Sequence, residues 1–348
     1  MARASGAFSG TDSGFVRRSG RQLTLNGKPY RFVGLNMYSA TTNFSFSWGC
    51  GVDDTATIAA DLTSLRPYQN VVRSWFFQQM ATVKPANGGP SRNWTAFDLL
   101  LDSARARNIK VIPVLGDQWG DCEATTGSVE KIESWYAASG GNTGYKLTPM
   151  NADVNLSYRD WVSQVVTRYK DRTEILMWQM MNEAEIKVAA GGACGSSATL
   201  KTWADDIAAL IKSIDTNHLV CVGSLGIQQC GILGDDYQTL HSGSNIDICE
   251  YHDYAYPSEA MPTGSSKLSH RLTQAAALGK PIFVGEMAMD QAEANRTTWM
   301  TSKINTQFAQ GVAGYLLWNW VRGASPGTWY EIGLNDPVLP TLAAYRTT

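Results

Sequence analysis

The 348-residue chain has no apolar run of eighteen residues, the length a helix needs to cross a bilayer, so nothing in it reads as a membrane span. Net charge is small: 29 basic against 31 acidic side chains leave a formal −2, which gives nucleic acid or an anionic membrane no electrostatic footprint. Histidine is scarce, four in all, and the six cysteines show neither CxxC nor Cys/His spacing, so no zinc site is expected. A Walker loop and an H-E-x-x-H pair are missing too. A neutral substrate, and chemistry without metal or organic cofactor, is the expectation that remains.

What is present suits one large domain: 44% hydrophobic and 17% charged residues are ample for a full core. The opening MARASGAFSGTDSG is small and polar and carries no signal-peptide pattern; residues 1–14 are expected to be disordered or processed, ahead of a single domain over 15–348. Twelve Trp and fourteen Tyr are many. Core packing accounts for about half; the rest suit the apolar faces of sugar rings.

Four cysteines fall in predicted loops and are expected to pair as Cys50–Cys122 and Cys194–Cys230, which would make the protein secreted. Cys221 and Cys249 fall inside predicted strands, where a free thiol packs as a small hydrophobe. Asn43, Asn93, Asn155 and Asn295 head N-x-[ST] sequons of little weight by themselves.

After a small hairpin, FVRRSGRQLTL closed by Asn26-Gly27, eight strand-like runs follow, at 31–36, 71–77, 110–116, 175–183, 219–224, 247–254, 281–287 and 312–320. Helix-period stretches separate them, among them WTAFDLLLDSARARN, YRDWVSQVVTRYKDR, LKTWADDIAALIKSID and RTTWMTSKINTQFAQ. Apolar strands alternating with amphipathic helices, eight times over, predict an α/β fold closed as a (β/α)8 TIM barrel with a short N-terminal β-hairpin. An open doubly wound sheet would want a Gly-rich phosphate turn after the first strand, and VGLNMYSATTN is not one.

Two of these runs end in a carboxylate, MMNE at Glu183 and VGE at Glu286, and barrel enzymes do their chemistry at the strands' C-terminal ends. Hydrolysis of a glycosidic bond needs such a pair, one protonated and one ionised; a gap of about 5–5.5 Å implies retention through a covalent glycosyl-enzyme. Arg73 sits inside an apolar run, VVRSWFF, a placement too costly without an anion facing it. Alternation along the strands turns Gln179 and Glu250 inward with Glu183 and His252, and predicts that Glu250 hydrogen-bonds Gln179 or Arg73. Glu183 is expected to keep its proton through burial and the charge of Glu286.

The chain resembles glycoside hydrolase family 5, a family of (β/α)8 retaining glycosidases, and within it the endo-β-1,4-mannanases. The resemblance rests on FVRRSGRQLTLNGKPYRFVGLNMY, VVRSWFF, WQMMNE, the H-x-Y of YHDY, and GKPIFVGEM. It implies Glu183 as acid/base and Glu286 as nucleophile, with Arg73 and Tyr254 holding the nucleophile. By the same resemblance Asn182 would bind the sugar 2-hydroxyl, His252 would lie beside the acid/base, and Trp318 would floor the subsite of the attacked sugar. Trp320 is an alternative platform, and Asn36, Tyr38, Trp75, Asp117 and Trp119 are further candidates for lining or support. Two departures stand out: family members usually carry Pro after the acid/base, often then Arg, where this chain has Ala184 and Glu185. Glu185 is expected to change the charge on the substrate side.

The expected partner is a carbohydrate, a β-linked mannose or glucose polysaccharide with mannan first, cut by a monomer. An enzyme for small β-glucosides or disaccharide conjugates, and an inactive carbohydrate-binding relative, are the alternatives.

Overall fold

A computed structural model describes residues 14–41, 55–83, 91–120, 130–137, 156–254, 256–322 and 329–347. Its first strands, β1 (Val16–Ser19), β2 (Gln22–Leu25) and β3 (Lys28–Tyr30), form an antiparallel sheet. That is one strand more than the predicted hairpin. Asn26-Gly27 joins β2 to β3, with φ of 52° and 75°, the left-handed backbone that a two-residue hairpin turn requires. Lys28-Pro29-Tyr30 is too short, and its Pro too unfavourable in a ladder, to read as a strand from sequence.

The main sheet uses β4 (Phe32–Asn36) and β5 (Val71–Trp75), then, after the minor pair β6 (Thr82–Val83) and β7 (Ser91–Arg92), β8 (Lys110–Val114) and β9 (Met177–Gln179). β10 (Leu219–Cys221), β11 (Cys249–Asp253), β12 (Ile282–Met287) and β13 (Gly314–Leu317) complete it. The order is β10-β9-β8-β5-β4-β13-β12-β11, and its pairings are parallel. A parallel bridge between Cys221 and Ile248 joins the two ends of the sheet, making the predicted barrel.

Nine helices are described: α1 (Thr55–Leu65), α2 (Thr95–Arg105), α3 (Glu133–Tyr136), α4 (Tyr158–Tyr169), α5 (Ser197–Ile214), α6 (Asp236–His241), α7 (Leu268–Ala277), α8 (Arg296–Ala309) and α9 (Leu339–Ala343). Their apolar stripes explain their places. In α5, Leu200, Trp203, Ala204, Ile207, Ala208 and Ile211 recur at the three- and four-residue spacing of one helix face and are buried.

Two apolar clusters result. The larger includes strand and helix side chains of the barrel wall. The smaller joins Phe32, Val71, Ile112, Met177, Leu219, Phe283 and Leu316 to Val16, Leu23 and Tyr30, so the N-terminal sheet plugs one end of the barrel. The catalytic candidates lie toward the other end, on residues C-terminal to these along the strands. Among the described residues no helix is long and apolar enough to cross a membrane. Cys194 and Cys230 form a disulfide, while Cys221 and Cys249 are free and buried. The expected Cys50–Cys122 pair lies outside the described residues.

Candidate active site

Arg73, on β5 and wholly buried, organises the floor. Its Nε donates to Gln179 Oε1 (2.6 Å), Nη1 to Asn36 Oδ1 (2.8 Å) and Glu286 Oε1 (2.7 Å), and Nη2 to Asn182 Oδ1 (2.7 Å). The guanidinium lies 4.8 Å from the centre of the Trp75 ring. A charge so placed needs these acceptors, because an unpaired guanidinium in the interior is prohibitively costly. Asn36 gives its amide to the carbonyls of Gly285 and Leu317 at 3.0 and 3.2 Å, so it ties β4 to the site floor as a support.

Glu286 lies on β12 and is held at both oxygens, by Arg73 and by the Tyr254 hydroxyl at 2.5 Å. Glu183 is not on a strand. β9 ends at Gln179, short of the predicted run to 183, but the backbone keeps its partners: Met180 and Met181 N–H donate to Cys221 and Val222, and Asn182 N–H to Gly116. Glu183 itself turns into the left-handed region at φ 54°, an uncommon conformation for a non-glycine residue at a site whose surroundings over-determine it. Gln229 Nε2 donates to its carbonyl at 3.1 Å, and Ala184 N–H donates to Gly223 O at 3.0 Å. A Pro at 184 would lose that last bond, so Ala184 has a donor in use where the sequence suggested only a relaxed backbone.

The Glu183 carboxylate accepts from Trp119 Nε1 (2.7 Å) and lies 2.8 Å from His252 Nδ1. One oxygen of Glu183, one of Glu286 and a ring nitrogen of His252 all lie within 4.8 Å of one another. An approach this close suits two carboxyl groups that share one anomeric carbon. Arg73, Tyr254, Trp119 and His252 already engage these oxygens, a donor set built to hold carboxylates by hydrogen bonds.

Burial pushes Glu286 above the ordinary carboxylate value, with His252 and Arg73 pulling it down and Glu183 pushing it further up. Burial acts likewise on Glu183, but His252, Trp119 and Arg73 outweigh it and hold that carboxyl low. Burial opposes a charge on His252, yet Glu286, Glu183 and Glu250 together raise it to about 10. These directions run against the expectation that Glu183 holds its own proton, and favour the imidazole facing it as the place for that proton.

Behind His252 lies Glu250, also on β11, buried and turned into the barrel as the alternation of faces predicts. It accepts from Gln179 Nε2, not from Arg73.

Trp318 and Trp320 separate because β13 ends at Leu317: Trp320 is packed in the core, whereas half-buried Trp318 stacks on Tyr38 with centroids 5.2 Å apart. Trp75 and Asp117 prove to be buried supports; Asp117 Oδ1 accepts from Asn182 Nδ2 at 2.8 Å. The expected substrate-side charge at Glu185 is overturned. Glu185 is buried, 2.9 Å from Lys187 Nζ, and accepts from Cys230 N–H at 3.0 Å. Sequence reading missed Gln229, whose only local signal is its place beside Cys230. It missed Tyr330 and Trp329 too: Tyr330 packs edge-on against Tyr254 at 5.8 Å, and its signal was the aromatic pair in SPGTWY after the last strand.

Residues 25–323 match the cellulase family, glycosyl hydrolase family 5. The chain belongs to this family. Among curated relatives of this family-5 chain is the mannan endo-1,4-beta-mannosidase A of Hypocrea jecorina, 26% identical, with the alignment covering 88% of this chain and 70% of that protein. The enzyme of the same name from Podospora anserina is 24% identical, covering 90% and 84%. The putative mannan endo-1,4-beta-mannosidase 4 of Arabidopsis thaliana is 26% identical over 71% of this chain, but only 64% of that protein is spanned. The endo-1,4-beta-mannanase of Rhizomucor miehei shares the fold, with a TM-score of 0.68, 23% identity and coverage of 94% and 97%.

Proposed function

We propose that the protein is a retaining endo-β-1,4-mannanase. The observation that carries the reading is the Glu183–Glu286 pair, brought within 4.8 Å at the mouth of a family 5 barrel. Mannan is favoured by the names of the curated relatives, and the burial of Glu185 removes the charge that counted against it. The family also includes cellulases, so glucan is the competitor to test.

In the first displacement a Glu286 oxygen bonds to the anomeric carbon as the glycosidic C–O bond breaks, and Glu183 delivers a proton to the leaving oxygen. That proton comes from His252 Nδ1, which faces Glu183 Oε1 at 2.8 Å. In the second displacement water attacks the anomeric carbon, Glu183 takes its proton, and the ester to Glu286 breaks. Arg73 and Tyr254 stabilise the departing carboxylate of Glu286. Asn182, anchored by Arg73 and Asp117, is the proposed contact to the 2-hydroxyl, and Trp318 on Tyr38 the proposed platform beneath the attacked sugar. Trp119 fixes Glu183 through its indole N–H. The disulfide supports secretion, and the proposed working form is a monomer.

Reducing ends released from mannan, cellulose and small aryl β-glycosides decide among the readings. Mannan is expected to give a series of oligosaccharides of retained β configuration, and Glu286→Ala to lose on the order of 10⁴-fold in rate. Release from aryl glycosides alone would favour an exo-acting enzyme, and silence on every substrate a binding protein.

A further inference from the structure

Glu250 is a buried carboxyl group outside the acid/base and nucleophile roles, and four strands are built around it. Gln179 from β9 donates to its Oε2, and the Cys221 thiol from β10 does so at 3.3 Å. From its own strand, His252 Nε2 lies 3.2 Å from Oε1. From β12, Gly285 makes the room: a Cβ there would sit 1.8 Å from Glu250 Oε1. Such a carboxylate is expensive to bury, so its three donors and tailored space call for a use.

Resting on the acid/base role proposed above for Glu183, we propose that Glu250 is a positioning residue that keeps a proton on both nitrogens of His252 and so supplies the acid Glu183. The two ring nitrogens of His252 face different carboxylates, Nδ1 Glu183 and Nε2 Glu250. A carboxylate acceptor behind Nε2 makes that nitrogen a donor, and leaves the Nδ1 proton as the one that moves toward Glu183. The groups facing the ring are Glu183 from the segment after β9, Glu286 from β12, whose Oε2 is 3.6 Å from Nδ1, and Glu250 from β11. Tyr254 and Arg73 lie beyond, both bonded to Glu286. Cys221 remains a neutral thiol donor, because burial and Glu250 both push it up. Gln179 completes the arrangement. Its amide accepts from Arg73 and donates to Glu250, so it transmits the position of one ion to the other without adding charge.

Replacing Glu250 by Gln keeps the shape and removes the carboxyl group. The introduced amide would answer Gln179 with its oxygen and present its NH₂ to His252 Nε2, which must then act as acceptor and give up its proton. Glu250→Gln is expected to move the alkaline limb of kcat down by at least one pH unit, with kcat at pH 8 reduced about tenfold and KM within about twofold. The exchange Gln179→Glu with Glu250→Gln restores a carboxylate to the same buried pair, now against Arg73. It should regain thermal stability yet keep the displaced limb, an outcome a merely structural role would not give. An alkaline limb that coincides with wild type in either folded variant overturns the proposal.

One reading is independent of turnover and of either variant's folding. Nitrogen NMR of the wild-type His252 ring should show both nitrogens protonated at pH 8; a neutral ring there overturns the proposal as well. Failure of the functional reading appears instead as wild-type silence on all glycans.

Discussion

At the scale of the residue, Arg73 sets the terms for the site. One guanidinium, fully buried, serves acceptors from four places in the chain, Asn36, Gln179, Asn182 and Glu286. Truncation leaves Glu286 charged, buried and short of its strongest partner. Arg73→Met is expected to cost about 3–5 kcal/mol in chemical denaturation and to abolish turnover. Arg73→Lys, a point charge in place of a planar fork, should fold and still lose most of its activity, because one ammonium cannot span those acceptors. Arg73 was legible as a charge inside an apolar run, and Glu250 through its two-residue spacing from His252. Glu185 was not legible. Its partners, Lys187 and the Cys230 amide, gather only in the fold, and by sequence alone a Glu beside an acid/base reads as facing substrate.

At the scale of the element, the segment after β9 carries the acid/base and is stitched to the segment after β10. Gln229 holds the Glu183 carbonyl, Cys230 N–H bonds Glu185, Ile186 N–H bonds the Cys230 carbonyl at 3.2 Å, and Cys194–Cys230 closes the unit covalently. Reduction, or a Cys194→Ser/Cys230→Ser pair, is expected to remove about 2–4 kcal/mol of stability. The same change should lower kcat more than it raises KM, since it frees the element that positions Glu183. Melting and steady-state kinetics with and without reductant check both outcomes. The strand runs that predicted eight strands overstated their lengths here. Continuous apolar residues mark burial, whereas ladder pairing stops where the chain turns to build the mouth, as at Gln179 and Leu317.

At the scale of the whole molecule, one end of the barrel is plugged and the other holds a dense group of buried charges. Leu23→Ala in the plug should destabilise the protein by about 2–5 kcal/mol, read as a lower denaturation midpoint with KM unchanged. The charges make stability depend on pH. Folding raises His252 from 6.5 to about 10, so its contribution is complete below pH 6.5 and is lost as pH climbs through about 10. Melting temperatures from pH 6 to 10 should therefore fall more steeply for wild type than for His252→Asn.

The sequence by itself determined the alternation of strand and helix, the count of eight, and the two carboxylate-bearing ends. These follow from local periodicity and from residue types whose burial has few solutions. Only the closed fold fixed which groups face the acid/base, which way Glu185 faces, and which of two tryptophans remains at the mouth. Each of those depends on distances between residues far apart in the chain, and the electrostatics of a buried group are set by neighbours that only the closed barrel brings together.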